Sequence, residues 1–326
     1  MCMKKKIISV LLTMSYIVFL FAGRAAGSAA PGKYSGLGSV AVTYVTSPLN
    51  VHYIIERDRG FFAEAFSQFG LGVEYFNLTT GPEQTQALAA GNIHFLHAVG
   101  AASVILSAAN GGDIRIISAY SRSPAAFRLF AADESIKTAA DLAGKKIAGP
   151  KGTILHQMLL AYLQAAGLTE NDVELLHMDL PSSQAALAAG HVDAALLAGP
   201  VAYNTEQAGS FVVTTGEGLI DATIVNAVAG RFYEQYPELA EAFVKAQRST
   251  LDWMTRNHDE ALEISAKETG LDISAVIEMF PMYDFRIEIS ESDIEAFELT
   301  QEFMLENDMI ESPVDIRGLL LDLALP

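Results

Sequence analysis

The chain has 326 residues, 21 Lys+Arg against 39 Asp+Glu, and a net charge of −18. That length suggests two domains with room for buried cores, and 51% hydrophobic against 18% charged residues argues against disorder. The acidic balance counts against nucleic-acid binding, which needs clustered Lys/Arg, and the single cysteine excludes a disulfide scaffold and a thiolate zinc cluster.

The chain begins with Lys4, Lys5 and Lys6. Ile7–Ala22 is then apolar except for Ser9, Thr13 and Ser15, and Arg24–Ala30 is rich in small residues. This is the pattern of a secretory signal peptide over residues 1–29, with cleavage assigned after Ala29 and Ala25 or Gly27 as alternatives. The apolar run, about 16 residues, is short for a membrane span of about 20. Cleavage removes Lys4, Lys5, Lys6 and Arg24 and no acid, so the charge becomes −22, and Cys2 leaves as well. No cysteine follows the apolar run to carry a lipid anchor. The expectation is an exported, unanchored protein of the periplasm.

Strand and helix signals then alternate. Ser39–Tyr44 (SVAVTY) is β-branched and reads as a strand. Ser47 and Pro48 form an N-cap and N1 pair for a helix to about Phe66. Gly72–Asn77 is a strand, and Gly81–Ala90 a helix stopped by Gly91. Asn92–Ala98 is a strand, Ala101–Ala109 a helix and Ile114–Tyr120 a strand. A second cycle follows, with a strand at Ala126–Ala131 and a capped helical turn from Thr138 to Gly144. Lys145–Ala148 is a strand, and Lys151-Gly152-Thr153 opens a helix stopped by Gly167. Asp172–Met178 is a strand, Ser183–Ala189 a helix stopped by Gly190, and Val192–Leu197 and Phe211–Thr215 are strands. After Gly230 the signals become helical: Pro237 to about Asn257, Asp259–Thr269, Asp272–Met279 and Glu291–Asn307. The acid-rich stretch 291–316 reads as a solvated helix face. The alternation predicts an α/β fold with mainly parallel sheets.

An internal repeat sharpens this. Ala87–Ile93 (ALAAGNI) matches Ala186–Val192 (ALAAGHV) at an offset of 99, and Gly100 matches Gly199 at the same offset. Each copy is a helix, a glycine stop, a strand and a glycine at the next helix start. Two similar α/β lobes are implied. Ligands of open α/β sheets bind beyond the carboxyl ends of the strands, so two facing lobes would hold a small molecule between them.

The segments QALAAGNI, DESIKTAADLAGKKIAGPKGT, AGLTENDVELLHMD, QAALAAGHVDAALLAGP, YPELAEAFVKAQRS and ESDIEAFELTQEFMLENDMIESPVDI carry a family likeness. Over about residues 39–320 they resemble the solute-binding proteins of bacterial ABC importers for nitrate, sulfonates, taurine and thiamine precursors. The resemblance implies a two-lobed type II periplasmic-binding-protein fold, with parallel-rich sheets flanked by helices and a helical C-terminal tail. Lobe 1 would be residues 36–122 plus 223–326, and lobe 2 residues 123–222. It also implies closure on a small-molecule ligand, delivery to an ABC permease in the inner membrane, and a monomer. It calls for no cofactor, no metal and no catalytic residue.

Helix N-termini offer free N–H groups and a positive dipole end to an anionic ligand. The candidates are Ser47, Asn50, Gly81, Gly100 and Ala101 in the first lobe. In the second lobe they are Gly152, Thr153, His156, Gly199 and Pro200, with Ser121 and Ser123 near the hinge. Family members often carry an aromatic and an acidic residue before Pro200, where this chain has Ala198 and Gly199. Loss of the acid argues against a ligand amine, as in taurine, and for a roomier pocket. A sulfonate, nitrate or a pyrimidine-like solute all stay open. His94 and His97 alternate across a strand and make a poor metal site. Two other functions compete: an enzyme on the same fold, of the pyrimidine-precursor synthase or dehydratase type, and a sensing lobe for a membrane partner. The enzyme needs a nucleophile or an acid/base pair, and the candidate loops supply neither.

Overall fold

The first sheet begins where β-branched residues alternate. In the computed structural model, residues 32–45 and 49–326 are described, so the signal segment and Ser47-Pro48 lie outside the described residues; the helix expected to start there begins instead at Val51, with Asn50 as its N-cap. In chain order the first cycle is β1 (Ser39–Tyr44), α1 (Val51–Arg59), α2 (Phe61–Ser67), β2 (Gly72–Asn77), α3 (Gly81–Ala89), β3 (Phe95–Gly100), α4 (Ala101–Ala109) and β4 (Ile114–Arg122). The second cycle is β5 (Phe127–Ala131), β6 (Lys146–Gly149), α5 (Ile154–Gln164), β7 (Glu174–His177), α6 (Leu180–Ala188), β8 (Ala194–Ala198), α7 (Gly199–Gln207) and β9 (Phe211–Thr215). The chain then returns through β10 (Thr223–Ala229) and α8 (Gly230–Gln235). It ends in α9 (Pro237–Arg256), α10 (His258–Thr269), α11 (Ile273–Met279), α12 (Glu291–Glu306) and α13 (Ile316–Leu319). Among the described residues no helix is long and apolar enough to cross a membrane.

The two sheets share one plan. Their strand orders are β2-β1-β3-β10-β4 and β7-β6-β8-β5-β9. In each, the first three strands pair parallel, and the fourth pairs antiparallel with both neighbours. The sheets are therefore mixed, with the antiparallel strand next to the centre. The sequence repeat falls on matching places: α3 and β3 in one sheet, α6 and β8 in the other. Gly91 and Gly190, the two helix stops, both have positive φ, at 77° and 68°.

Three departures from the sequence expectation have physical causes. The single helix expected up to Phe66 is two helices, because Gly60 sits left-handed at φ 73° and ends α1. The strand expected at Asn92–Ala98 runs instead from Phe95 to Gly100, since Gly91 and the turn after it occupy the first positions. Thr223–Ala229 (TIVNAVA) is a fully buried strand, unassigned from sequence because its pairing partners β3 and β4 lie far back in the chain.

The break at Gly60 is held by Glu56, which is 0% exposed. Its Oε1 accepts from the Phe62 N–H at 2.9 Å and from the Tyr75 hydroxyl at 3.0 Å. Burial pushes the Glu56 carboxyl up to about 8, against the pull of those two donors. The folded state thus keeps a proton that the unfolded chain releases at ordinary carboxylate pH. The stabilisation is complete below that pH and is lost as pH rises through about 8. At about 1.4 kcal/mol per unit, raising pH from 6 to 8 should cost the native chain roughly 2 kcal/mol more than it costs Glu56→Gln, which cannot ionise. Urea unfolding of both proteins at the two pH values measures the difference. Equal losses would show that Glu56 does not hold that proton.

Helices α9 and α10 pack on α1 and α2 behind the first sheet, and α12 packs on α4. The acidic stretch beginning at Glu291 is not wholly solvated, because Asp293 is 7% exposed and takes two bonds from Arg122.

Candidate ligand-binding cleft

The two sheets present helix N-termini to one another. Helix α3 starts at Thr80, which caps it through a box with Glu83. Helices α4 and α5 start at Gly100 and Thr153 with no side-chain cap among the described residues, so their first N–H groups are left for another partner. The Thr153 hydroxyl donates instead to the Pro150 carbonyl at 2.7 Å. All three starts line one cavity of about 80 Å³. That is room for more than a single water but well below the several hundred Å³ of an open ligand pocket.

The small volume reflects a closed cleft. Ser103 on α4 donates across it to the Gly152 carbonyl at 2.8 Å, and Gln157 on α5 donates to Thr300 on α12 at 3.1 Å. The Ile154 side chain lies so close to Gly100 that a Cβ there would sit 3.1 Å from it. Gly81 is tied to the same closure. A Cβ at Gly81 would fall 2.5 Å from the Ser103 Cβ, inside any real contact. The roomier pocket expected from Ala198 is therefore not seen, although Ala198 does line the cavity.

The lining is apolar around a few neutral polar groups. Val45, Phe127, Ile154, Leu155, Leu180 and Ile224 supply hydrocarbon; Thr79, Thr80, Ser103 and Thr153 supply hydroxyls. Gln84, in the first turn of α3, is 2% exposed, and its Oε1 has no hydrogen-bond partner among the described residues. Among the described residues no charged side chain lines this cavity. It can therefore hold an anionic head by dipoles and N–H groups, with an apolar tail beside it.

Of the candidate residues, Gly81, Gly100 and Thr153 line the cavity, and Ala101 is the first residue of α4 beside it. Gly152 enters through its carbonyl. Asn50 does not reach the cavity: it is 0% exposed and its Nδ2 donates to the Val45 carbonyl at 2.7 Å. His156 is also turned away. Its Nδ1 accepts the Gly152 N–H at 3.2 Å, so the proton is assigned to Nε2, which lies 3.0 Å from Glu170 Oε2. Burial lowers the His156 pKa, against the upward pull of Glu170. His156 therefore braces the loop that carries Thr153. Gly199 lines a separate small void with Arg128 and Tyr203, and Pro200 is buried at the start of α7. Ser121 and Ser123, both 0% exposed, lie where the chain leaves the first sheet. Their hydroxyls have no partner among the described residues. Ser121 pairs with Ile224, and Ile224 with Gly100, so these three share one sheet face. Ser47 lies outside the described residues.

The residues missed by sequence reasoning include Gln84 and Ser103. Each lies three positions after a named glycine, Gly81 or Gly100, in the first turn of the same helix. That spacing was the available signal.

His94 and His97 do not meet. His94 stacks on Phe232 with ring centroids 4.5 Å apart, and His97 is buried among Tyr53, Phe62, Tyr120 and Phe243.

A family model described as NMT1/THI5 like matches residues 48–261. The chain belongs to the NMT1/THI5-like family. One relative of this NMT1/THI5-like chain is the "Putative aliphatic sulfonates-binding protein" of Bacillus subtilis (strain 168). It is 27% identical over 316 residues, covering 95% of this chain and 93% of that protein. Among solved structures, the alkanesulfonate-binding protein SsuA from Xanthomonas axonopodis pv. citri, bound to MOPS, superposes with a TM-score of 0.80 at 20% identity. It covers 87% of this chain and 98% of its own. The desulfurization enzyme DSZB superposes with a TM-score of 0.65 at 18% identity, covering 88% of this chain and 97% of its own. At these identities the superpositions speak for the fold, which binding proteins and an enzyme share.

Proposed function

We propose that this NMT1/THI5-like chain is the exported solute-binding component of an ABC importer, and that its ligand is a small organosulfonate. In this reading residues 1–29 are a cleaved signal, and the mature protein works as a monomer in the periplasm. Residues 36–122 plus 223–326 form one lobe and residues 123–222 the other. The observation that carries the reading is the cavity between the sheets, where the uncapped starts of α4 and α5 meet beside hydrocarbon. A sulfonate head suits three helix N-termini, and an alkyl tail suits Phe127, Ile154 and Ile224. Nitrate would leave that hydrocarbon unused. The ammonium of taurine would find no acid among the described lining residues. The sulfonate-binding names of the relative and of the solved neighbour point the same way. Gly81, Gly100, Ala101 and Thr153 are assigned to the head, with Ser121 and Ser123 at the hinge end; Gly152, whose N–H goes to His156 and whose carbonyl accepts the Ser103 hydroxyl, has no donor for it.

Catalysis fits this cavity poorly. The described lining offers hydroxyls and an amide but no titratable side chain to serve as a general base.

Thermal melting of the mature chain with butanesulfonate, nitrate, taurine, uracil and benzoate tests the reading. A ligand at 100 times its Kd adds about 2.7 kcal/mol to the folded state. Butanesulfonate should raise the melting temperature most. A melting temperature unmoved by any sulfonate would refute the assignment.

A further inference from the structure

The floor of the cleft is bent by side chains rather than by the strand ladder. Strand β10 pairs Val225 with Val99 and Ala227 with Leu96, so His97 and Ala98 on β3 face the single residue Asn226. Two residues against one is a bulge, which turns a strand and re-aims what it carries. Ala98 lies at its centre with φ 67°, a left-handed backbone that disfavours any residue with a Cβ.

Side chains account for the freed backbone groups. Thr43 Oγ1 accepts the His97 N–H at 2.8 Å, and the same hydroxyl lies 3.2 Å from the His97 carbonyl as its donor. Asn226 Oδ1 accepts the Ala98 N–H at 3.1 Å. Asn226 is itself locked, donating to Ser118 Oγ at 2.9 Å. Ser118 donates to Gln247 Oε1 at 2.7 Å, and Gln247 Nε2 to the Ala119 carbonyl at 2.8 Å. Asn226, Ser118 and Gln247 are all 0% exposed. Ala98 in the bulge and Gly100 just past it line the cavity, and Gly100 caps α4.

We infer that Asn226 is a positioning residue of the cleft: by holding Ala98 left-handed through its N–H, it fixes the direction from which the first turn of α4 meets the ligand. Asn226 touches no ligand itself and acts through the bend of β3. The inference rests on this cavity being the sulfonate site, but its conformational half stands without a ligand.

Three variants test it. Asn226→Ala should weaken butanesulfonate binding at least tenfold, measured by titration calorimetry on folded protein. In its crystal structure Ala98 should leave the left-handed region. Adding Ala98→Gly to Asn226→Ala should recover most of the lost affinity, because glycine keeps positive φ unaided. It should not recover the melting temperature, because Ser118 stays without its Asn226 partner. A purely structural role would lose and regain both together. Wild-type affinity in Asn226→Ala, no recovery in the double variant, or Ala98 unmoved in the crystal overturns the inference. Should Asn226→Ala not fold, Ala98→Gly alone decides: its melting temperature holds or rises if Ala98 is strained, and a fall of several degrees overturns the claim. If the wild-type chain binds no sulfonate, the ligand assignment fails while the crystal readout on Ala98 still judges the positioning role.

Discussion

Gln84→Glu is expected to lower the affinity for butanesulfonate by roughly two to three orders of magnitude. Gln84 is 2% exposed and lines a cavity whose described residues carry no charge. A carboxylate there would face the sulfonate with nothing to neutralise it. Two like charges 4 Å apart at an effective dielectric of about 20 repel by about 4 kcal/mol. Burial lets the new carboxyl escape partly by holding its proton, so the loss should be deeper at pH 8 than at pH 5. Gln84→Leu removes the amide without adding charge and should cost about tenfold or less, the scale of one hydrogen bond. Calorimetric titration of the three proteins at both pH values checks this. Equal affinity for Gln84→Glu and wild type would place the sulfonate elsewhere.

Arg122→Ala should destabilise the folded chain by about 3–5 kcal/mol, the range for breaking a buried ion pair. Arg122 ends β4, just before the chain leaves the first sheet. Its Nε and Nη2 donate to the two Asp293 oxygens at 2.5 and 2.7 Å, and its Nη1 and Nη2 reach the Arg286 and Glu288 carbonyls at 2.8 and 2.9 Å. The Arg122 and Asp293 side chains are only 16% and 8% exposed. One guanidinium thus ties α12 and the segment before it to the first sheet. Burial acts to raise the Asp293 carboxyl, but Arg122 and Ser290 outweigh it and hold the group below the usual carboxylate range. The resulting stabilisation is present above the unfolded carboxylate pKa and fades as pH falls through the lowered one. The gap between wild type and Arg122→Ala in urea unfolding should therefore narrow in acid. Arg122→Lys should recover little, since an ammonium cannot reproduce the two-pronged geometry. A loss below about 1 kcal/mol would put the pair among ordinary surface ion pairs.

Much of the fold was legible because local signals agreed with the global plan. The Gly91 and Gly190 stops, the strands at Ser39–Tyr44, Gly72–Asn77 and Phe211–Thr215, and the repeat at an offset of 99 each mark a feature that the chain sets locally. What stayed hidden depends on contacts distant in sequence. Thr223–Ala229 is a strand because it fills the gap between β3 and β4, partners that lie far back in the chain, although Gly230 marks its end. The α1–α2 break needed Gly60 read together with Glu56 and Tyr75.

The cleft divides in the same way. Gly81, Gly100 and Thr153 could be read as helix starts, and the cavity gathers them. Nothing local distinguished them from Asn50, whose Nδ2 is taken up by the Val45 carbonyl, or from His156, whose ring nitrogens are taken up by Gly152 and Glu170. Gln84 carried only its spacing from Gly81 as a local signal, and its place in the cavity follows once α3 and α5 face each other across the closed cleft. Asn226 lies further still from sequence reasoning, because its partner Ala98 is 128 residues away.

Titration calorimetry of the mature wild-type chain with butanesulfonate and with butylammonium tests the central claim most directly. The two share an apolar tail and differ in the sign of the head. A cavity of helix N-termini and neutral donors predicts one saturable site for the sulfonate and no binding of the ammonium. Saturable binding of butylammonium, or none of butanesulfonate, would contradict it.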